Sequence, residues 1–253
     1  DAGDATQRPI DLCFTPGDQG LWGVDHAGRL TRWNLADGVP TQIALGVDVG
    51  VVRTFGDGGR LFGHSLGKGH QRQLQLWDLG EAETPQPRHV WRSREDLWGA
   101  AVSPRGNLAA IGSRTGKLHL FDVASGEELT QAQVGRGAVM RLALAADERH
   151  LAYHSAQEGI RLFTLPDIAP AATWMPEGPS VTSLGFSPDG RWLAAGLADR
   201  TVRIWSVAER RAMLLIKLSG DCARQLMFSP DGRLLATAGT DTAVWEMPWS
   251  VDP

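Results

Sequence analysis

The sequence predicts an all-β fold built from repeats of one four-stranded antiparallel unit, and three observations carry that prediction. The first is a stretch that shows the unit whole, Phe186 to Leu218, FSPDGRWLAAGLADRTVRIWSVAERRAMLLIKL. An apolar run ends in Ser187-Pro188-Asp189-Gly190, a turn in which proline fixes φ and glycine takes the awkward last position. Trp192 to Gly196 is a second apolar run, closed by the polar turn Ala198-Asp199-Arg200. Thr201 to Val207 alternates as a half-buried strand does, with Val202, Ile204 and Ser206 on one face and Arg203 and Trp205 on the other. Met213 to Leu218 is the fourth run.

The second observation is periodicity. The aromatic residue of the third strand recurs at Trp33, Trp77, Phe121, Phe163, Trp205 and Trp245, at intervals of 44, 44, 42, 42 and 40 residues. The third is that the turn leaving the first strand recurs in step. It reads FTPGD at Phe14, FGDGG at Phe55, VSPRG at Val102, LAADE at Leu144, and FSPDG at Phe186 and again at Phe228. A period of about 40 to 45 residues with four strands each is that of a propeller blade.

The elements follow in order. Blade one spans 9–46, with strands near Pro9–Phe14, Gly20–Val24, Leu30–Leu35 and Thr41–Leu45. Blade two, 49–92, has a second strand at Arg60–Gly63, then an enlarged loop from Gly67 to Arg72, and a long connection with two prolines from Gly80 to Arg88. Blades three, four and five span 97–134, 138–175 and 180–218. Blade six, 223–253, reaches Trp245 without room for a full fourth strand. The expectation is one propeller domain over 1–253, either a six-bladed ring or part of a seven-bladed one.

These motifs resemble the WD40 repeat family over essentially the whole chain. The family pattern is S-P-D-G, an apolar strand ending in small residues, then x-V-x-I-W-D, and it is met most fully from Ser187 through Trp205. Trp77-Asp78 and Phe121-Asp122 keep the acidic residue after the aromatic, while Asn34, Thr164, Ser206 and Glu246 replace it. The family's Gly-His pair is missing from every blade, and an Asp six residues before the aromatic occurs only at Asp199. The resemblance therefore implies blades held by apolar packing rather than by the family's side-chain hydrogen-bond tetrad. It also implies that the N-terminus supplies the last outer strand, a role for which Asp1 to Arg8 offer only a short polar segment.

Composition suits a globule of this kind. Thirty glycines and fourteen prolines serve tight turns, and 42% hydrophobic residues over 253 positions can bury a large core. A net charge of −4 argues against nucleic acid or a membrane surface as the partner. No apolar run is long enough to span a bilayer. The chain opens on Asp1 without a signal-peptide pattern, as a processed product or an excerpt does. Superposing the repeats sets Cys13 and Cys222 about five residues out of register, roughly 16 Å along a strand, too far for a bridge. Free thiols favour a reducing compartment, so the expected location is cytoplasmic. Usage rich in alanine, glycine and arginine points to a GC-rich, bacterial genome.

Several motifs touch on chemistry. Gly63-His64-Ser65-Leu66-Gly67 matches G-x-S-x-G, but a nucleophile elbow needs a strand-turn-helix context and no helix pattern follows. His150 and His154 flank a strand, and four strand residues span about 13 Å, too far to share one metal. Glu127-Glu128 and the Glu81/Glu83 pair fall in third-to-fourth strand turns, where solvated carboxylates are common. The expectation is a protein without catalytic residues, metal or cofactor.

Binding has a more specific anchor. Aligned on the exit turn, Ile10, Val51, Trp98, Met140, Thr182 and Arg224 start the first strands, which in a propeller line the central channel. Arg92 and Arg94 lead into blade three, and Arg136 into blade four. A tryptophan beside arginines is the mix enriched at interface hot spots, whereas a tryptophan packed between blades two and three would be core. The expected partner-binding residues are Trp98, Met140, Ile10, Arg92, Arg94, Arg136 and Arg224. The expected function is a non-catalytic scaffold, sensor or regulatory module that binds a protein, a peptide or another domain of its parent chain. One alternative is a structural subunit completed by strand addition at the open edge of blade six. The other is a propeller hydrolase or lyase, which would need acidic or histidine residues where mostly apolar ones align.

Overall fold

The computed structural model describes residues 9–14, 19–25, 29–44, 49–54, 60–66, 72–79, 87–93, 95–175 and 178–250. Its first sheet holds β1 (Pro9–Phe14), β2 (Gly20–Asp25), β3 (Arg29–Asn34) and β4 (Pro40–Ala44). The second holds β5 (Val49–Thr54), β6 (Arg60–Leu66), β7 (Arg72–Asp78) and β8 (Pro87–Ser93). The third holds β9 (Leu97–Val102), β10 (Leu108–Ser113), β11 (Lys117–Asp122) and β12 (Glu128–Gln133). The fourth holds β13 (Arg141–Leu144), β14 (His150–Ser155), β15 (Gly159–Thr164) and β16 (Ala169–Trp174). The fifth holds β17 (Val181–Phe186), β18 (Trp192–Leu197), β19 (Thr201–Ser206) and β20 (Ala212–Lys217). The sixth has three strands, β21 (Gln225–Phe228), β22 (Leu234–Ala238) and β23 (Thr242–Glu246), before a 3-10 turn at Pro248–Ser250. Each sheet is an antiparallel meander, so each is the blade that the repeat predicts.

The chain divides into two compact units, residues 1–97 with 104–107, and residues 98–103 with 108–253. In the first unit Trp22, Leu30, Ile43, Leu76 and Trp77 are buried, and the Arg32 guanidinium lies over the Trp22 ring at 5.6 Å. Strand β1 lies beside β5.

The turns explain where the sequence departs from its own repeat. In blade one, Asn34 Oδ1 accepts the Ala36 N–H at 2.9 Å. Asp122 Oδ1 accepts the Ser125 N–H at 2.7 Å, and Ser206 Oγ accepts the Glu209 N–H at 3.1 Å. Asn, Asp and Ser after the aromatic therefore do one job, capping the third-to-fourth turn with a short polar side chain. The exit turns share a second device. Oγ of Ser103, Ser187 and Ser229 accepts the N–H five residues on, at 3.1, 3.0 and 2.9 Å. Blade four lacks that serine, and there Glu148 takes the left-handed position at φ 59° that glycine fills elsewhere. The Ser103 hydroxyl donates to Glu148 Oε1 at 2.7 Å, which ties blade three to blade four.

The core of the second unit lies between successive sheets. Ala110, Leu118 and Leu120 of blade three pack with Leu142, Leu151, Tyr153 and Phe163 of blade four. Ala152, Ile160, Leu162 and Trp174 meet Leu193, Ala195 and Trp205 of blade five, with Trp174 stacked on Trp205 at 5.8 Å. Ala194, Val202, Ile204 and Ile216 meet Ala223, Leu235 and Met247 of blade six. Trp249 stacks on Trp192 at 4.1 Å, holding the 3-10 turn to blade five. Polar ties are few. The Tyr153 hydroxyl lies 3.0 Å from the Val134 carbonyl and 3.2 Å from the Glu158 carboxylate, and burial pushes its pKa up to about 12 against the opposing pull of Arg161. Of the family tetrad, the structure keeps a fragment in blade six, where Trp245 Nε1 donates to Thr237 Oγ1 at 3.2 Å.

Three expectations are corrected. Strand β6 runs on through Leu66 rather than stopping at Gly63, and Ser65 sits in its ladder opposite Gln73, so G-x-S-x-G forms no elbow. His150 and His154 lie inside β14 rather than flanking a strand, because the ladder with β15 extends over both. The register of blade two is the third. Thr54 pairs with Leu61 as Phe14 pairs with Leu21 and Phe186 with Leu193, which shifts that blade by one residue from the sequence alignment.

Sheet approach gives a direct test of this packing. A Cβ on Gly112 would lie 2.3 Å from Cβ of Val139 in the segment entering blade four. Gly112→Ala is therefore expected to destabilise the protein by about 1–3 kcal/mol, measured by urea denaturation. An unchanged midpoint would show that the sheets can separate at no cost.

Candidate interaction surface at the starts of the first strands

The register gives four first strands of the second unit a common start. Thr182 occupies a register shift between Val181 and Ser183 in β17. Met140 and Arg224 precede β13 and β21, their N–H groups donating to the His154 and Ala238 carbonyls at 2.9 and 2.8 Å. Trp98 is the second residue of β9. These are the equivalent positions that the repeat predicts.

Neighbouring strands are locked together there by backbone contacts. A Cβ on Gly99 would lie only 2.8 Å from the Val139 carbonyl oxygen, so β9 needs a glycine to run this close. Arg141 Nε donates to the Thr182 carbonyl at 3.0 Å. The Thr182 and Ser183 hydroxyls both donate to the Ala223 carbonyl, at 2.5 and 2.7 Å. The platform is thus built from Arg141, Thr182, Ser183 and Ala223, none of which the sequence marked except Thr182. The sequence signal was the small or hydroxyl-bearing residue beside two of the starts, Gly99 and Ser183.

What the platform presents differs by blade. Trp98 is 46% exposed, an unusual state for a tryptophan fixed on a strand. Met140 is half-buried and Arg136 is exposed. Arg224 is exposed, 3.5 Å from Asp221, whose carboxyl is held below the usual range first by the Cys222 N–H. In the first unit, Ile10 falls at the register shift between Pro9 and Asp11, the position of Thr182. The corresponding shift in β5 falls at Gly50, so Gly50 and not Val51 is the equivalent residue. Arg92 lies in β8, and Arg94 lies outside the described residues.

Beneath this surface lies a buried base. His154 is 4% exposed, and its Nδ1 has no hydrogen-bond partner among the described residues. Burial, reinforced by the Arg141 guanidinium, lowers its pKa to about 4. The native state therefore holds His154 neutral while the unfolded chain protonates it near 6.5. The unfolded state binds the extra proton between these values, so stability is full above about pH 6.5 and falls as pH drops toward 4, by roughly 2–3 kcal/mol. Urea melts at pH 7.5, 6, 5 and 4.5 should show this loss, and His154→Gln should remove its part of the slope. Parallel pH profiles for the two proteins would place the titration elsewhere.

Residues 172–206 match the family model described as WD domain, G-beta repeat. No curated protein matches the chain. The matched residues cover β17, β18 and β19 with the second half of β16, and the same turn and strand pattern recurs along the other sheets. One WD40 repeat is thus recognised in the chain, at residues 172–206.

Proposed function

We propose that the chain is a non-catalytic interaction module that binds a protein or peptide partner across the starts of its first strands, with Trp98 as anchor. WD40 repeats generally mediate protein–protein interaction, and the family is typically non-catalytic, which supports the coarse reading. The exposure of Trp98 carries the finer one. A rigid aromatic on a strand offers large contact area at low entropic cost, and tryptophan and arginine dominate interface hot spots. Met140 extends the apolar contact, while the exposed Arg136 can meet an acidic group at the rim and the exposed Arg224 can do so in exchange for Asp221. The fitting partner is thus a segment with an apolar side chain flanked by carboxylates, in another protein or in another domain of the parent chain, within the cytoplasm.

The test compares the unaltered chain with Trp98→Ala and with Arg136→Glu/Arg224→Glu as bait in native extract, followed by titration of the captured partner in purified form. Loss of an alanine-truncated hot spot costs about 2 kcal/mol or more, a drop in affinity of some thirtyfold, with melting within about 2 °C of the parent because the side chain is exposed. Equal capture by all three baits would remove this surface from the interface.

A further inference from the structure

The seam between blades four and five carries a side chain where the seams on either side carry none. Gly112, His154 and Gly196 hold the same ladder position in blades three, four and five, opposite Leu118, Ile160 and Val202. A Cβ on Gly112 would lie 2.3 Å from Val139 Cβ, and one on Gly196 would lie 2.5 Å from the Ala223 carbonyl oxygen. A side chain at this position is therefore directed at the segment entering the next blade, and glycine lets that segment close in. Blade four puts an imidazole there instead. It is 4% exposed, and its Nδ1 has no hydrogen-bond partner among the described residues.

This seam is tied by Arg141, which pairs with His154 across the ladder. Arg141 Nε donates to the Thr182 carbonyl of blade five at 3.0 Å, and its Nη1 lies 3.4 Å from the Met140 carbonyl. The Met140 N–H donates to the His154 carbonyl at 2.9 Å. In blade five the corresponding tie comes from a neutral group, the Ser183 hydroxyl, to the Ala223 carbonyl. The tie of blade four is thus a cation placed beside a base that can become one.

The elements around His154 supply no charge to offset a second cation. Strand β15 meets it with Ile160 and turns Arg161 to the other face, where it donates to the Val134 carbonyl. Strands β10 and β17 contain no charged residue. Among the described residues, the charge that acts on His154 is that of Arg141. Two cations side by side and shielded from water repel, and the repulsion is relieved when the pair reaches solvent.

We propose that His154 and Arg141 form an acid-sensitive latch: protonation of His154 breaks the Arg141–Thr182 tie and opens the seam between blades four and five at the starts of their first strands. At neutral pH the imidazole is uncharged and the latch is closed. Opening takes the support from under Met140, so acid releases a partner held there. That consequence rests on the binding proposed above, whereas the opening does not.

Hydrogen exchange of the 253-residue chain reads the latch without a partner. Exchange is followed by peptide mass spectrometry at pH 7.5 and pH 5, corrected for the intrinsic pH dependence of amide exchange. Segments 137–144 and 181–186 flank the seam, while 108–113 and 193–197 are second strands of the neighbouring blades. The seam segments should exchange about ten- to thirtyfold faster at pH 5. The upper figure is what an imidazole released from a pKa of about 4 to an ordinary one allows. The second strands should change less than about twofold, because their opening does not expose His154. His154→Gln keeps an uncharged side chain in place and should abolish the acceleration. Arg141→Met removes the donor and should open the seam already at pH 7.5. Equal acceleration in all four segments, an unchanged pH response in His154→Gln, or a seam unaltered at pH 7.5 in Arg141→Met would each overturn the latch. The comparison of segments in the unaltered chain decides the matter even where a variant fails to fold. A captured partner that stays bound at pH 5 while the seam opens would count against Met140 as a contact and leave the latch standing.

Discussion

The structure of the second unit depends on how closely one sheet can approach the next. The second strands of blades three to five are made of residues that permit it: Ala109 and Ala110, Ala152, and Ala194 with Ala195, all buried. Small side chains in the middle of a sheet let the larger third-strand residues of one blade, such as Leu120, Leu162 and Ile204, lie flat against the next. Where the approach is closest, even alanine is excluded, as at Gly112 against Val139 and at Gly196, where a Cβ would sit 2.5 Å from the Ala223 carbonyl. Polar ties between these blades run mostly from a side chain to a backbone carbonyl, as at Arg141–Thr182, Ser183–Ala223 and Trp174–Arg210, and they hold sheets that shape has already brought together.

That constraint decides what was legible in the sequence. The period and the blade type were legible because they rest on local chemistry, the turn residues and the aromatic that each sheet must bury. Replacement of Asp by Asn34 and Ser206 looked like decay of the repeat, but it preserves the one thing the turn requires, a short acceptor for a backbone N–H. Register was less legible. The glycine-rich exit of blade two fits the pattern equally well in two frames, and only the pairing of Thr54 with Leu61 selects Gly50 over Val51. The extent of β6 and β14 was missed for a related reason. Polar residues such as His64, Ser65 and His154 join a ladder readily when the backbone groups opposite them need partners, whatever their side chains suggest.

The candidate surface divides its labour in a way the sequence could not show. Arg141, Thr182 and Ser183 look like polar residues available to a ligand, yet each spends its hydrogen bond on a carbonyl of the neighbouring strand. Trp98 looks like core and is instead exposed. Residues that read as available to a ligand are framework, and the one that could have been framework is exposed. His154 fits the same logic. It fills the position that glycine holds in blades three and five, directly behind Met140 and paired with Arg141, so a proton placed on it would set two cations side by side under the surface.

The outer edges complete the argument. Each complete blade has two edge strands, the first and the fourth, and the strand prolines of the described residues fall on these alone: Pro9 opens a first strand, and Pro40, Pro87 and Pro170 stand in fourth strands. Proline there does two things at once. It marks the start of the strand opposite the aromatic, and it denies a donor to any further strand. Third strands are paired on both sides wherever a blade is complete, and none of the described ones carries a proline. The repeat that fixes the interior of each blade therefore also sets which of its strands can hold proline.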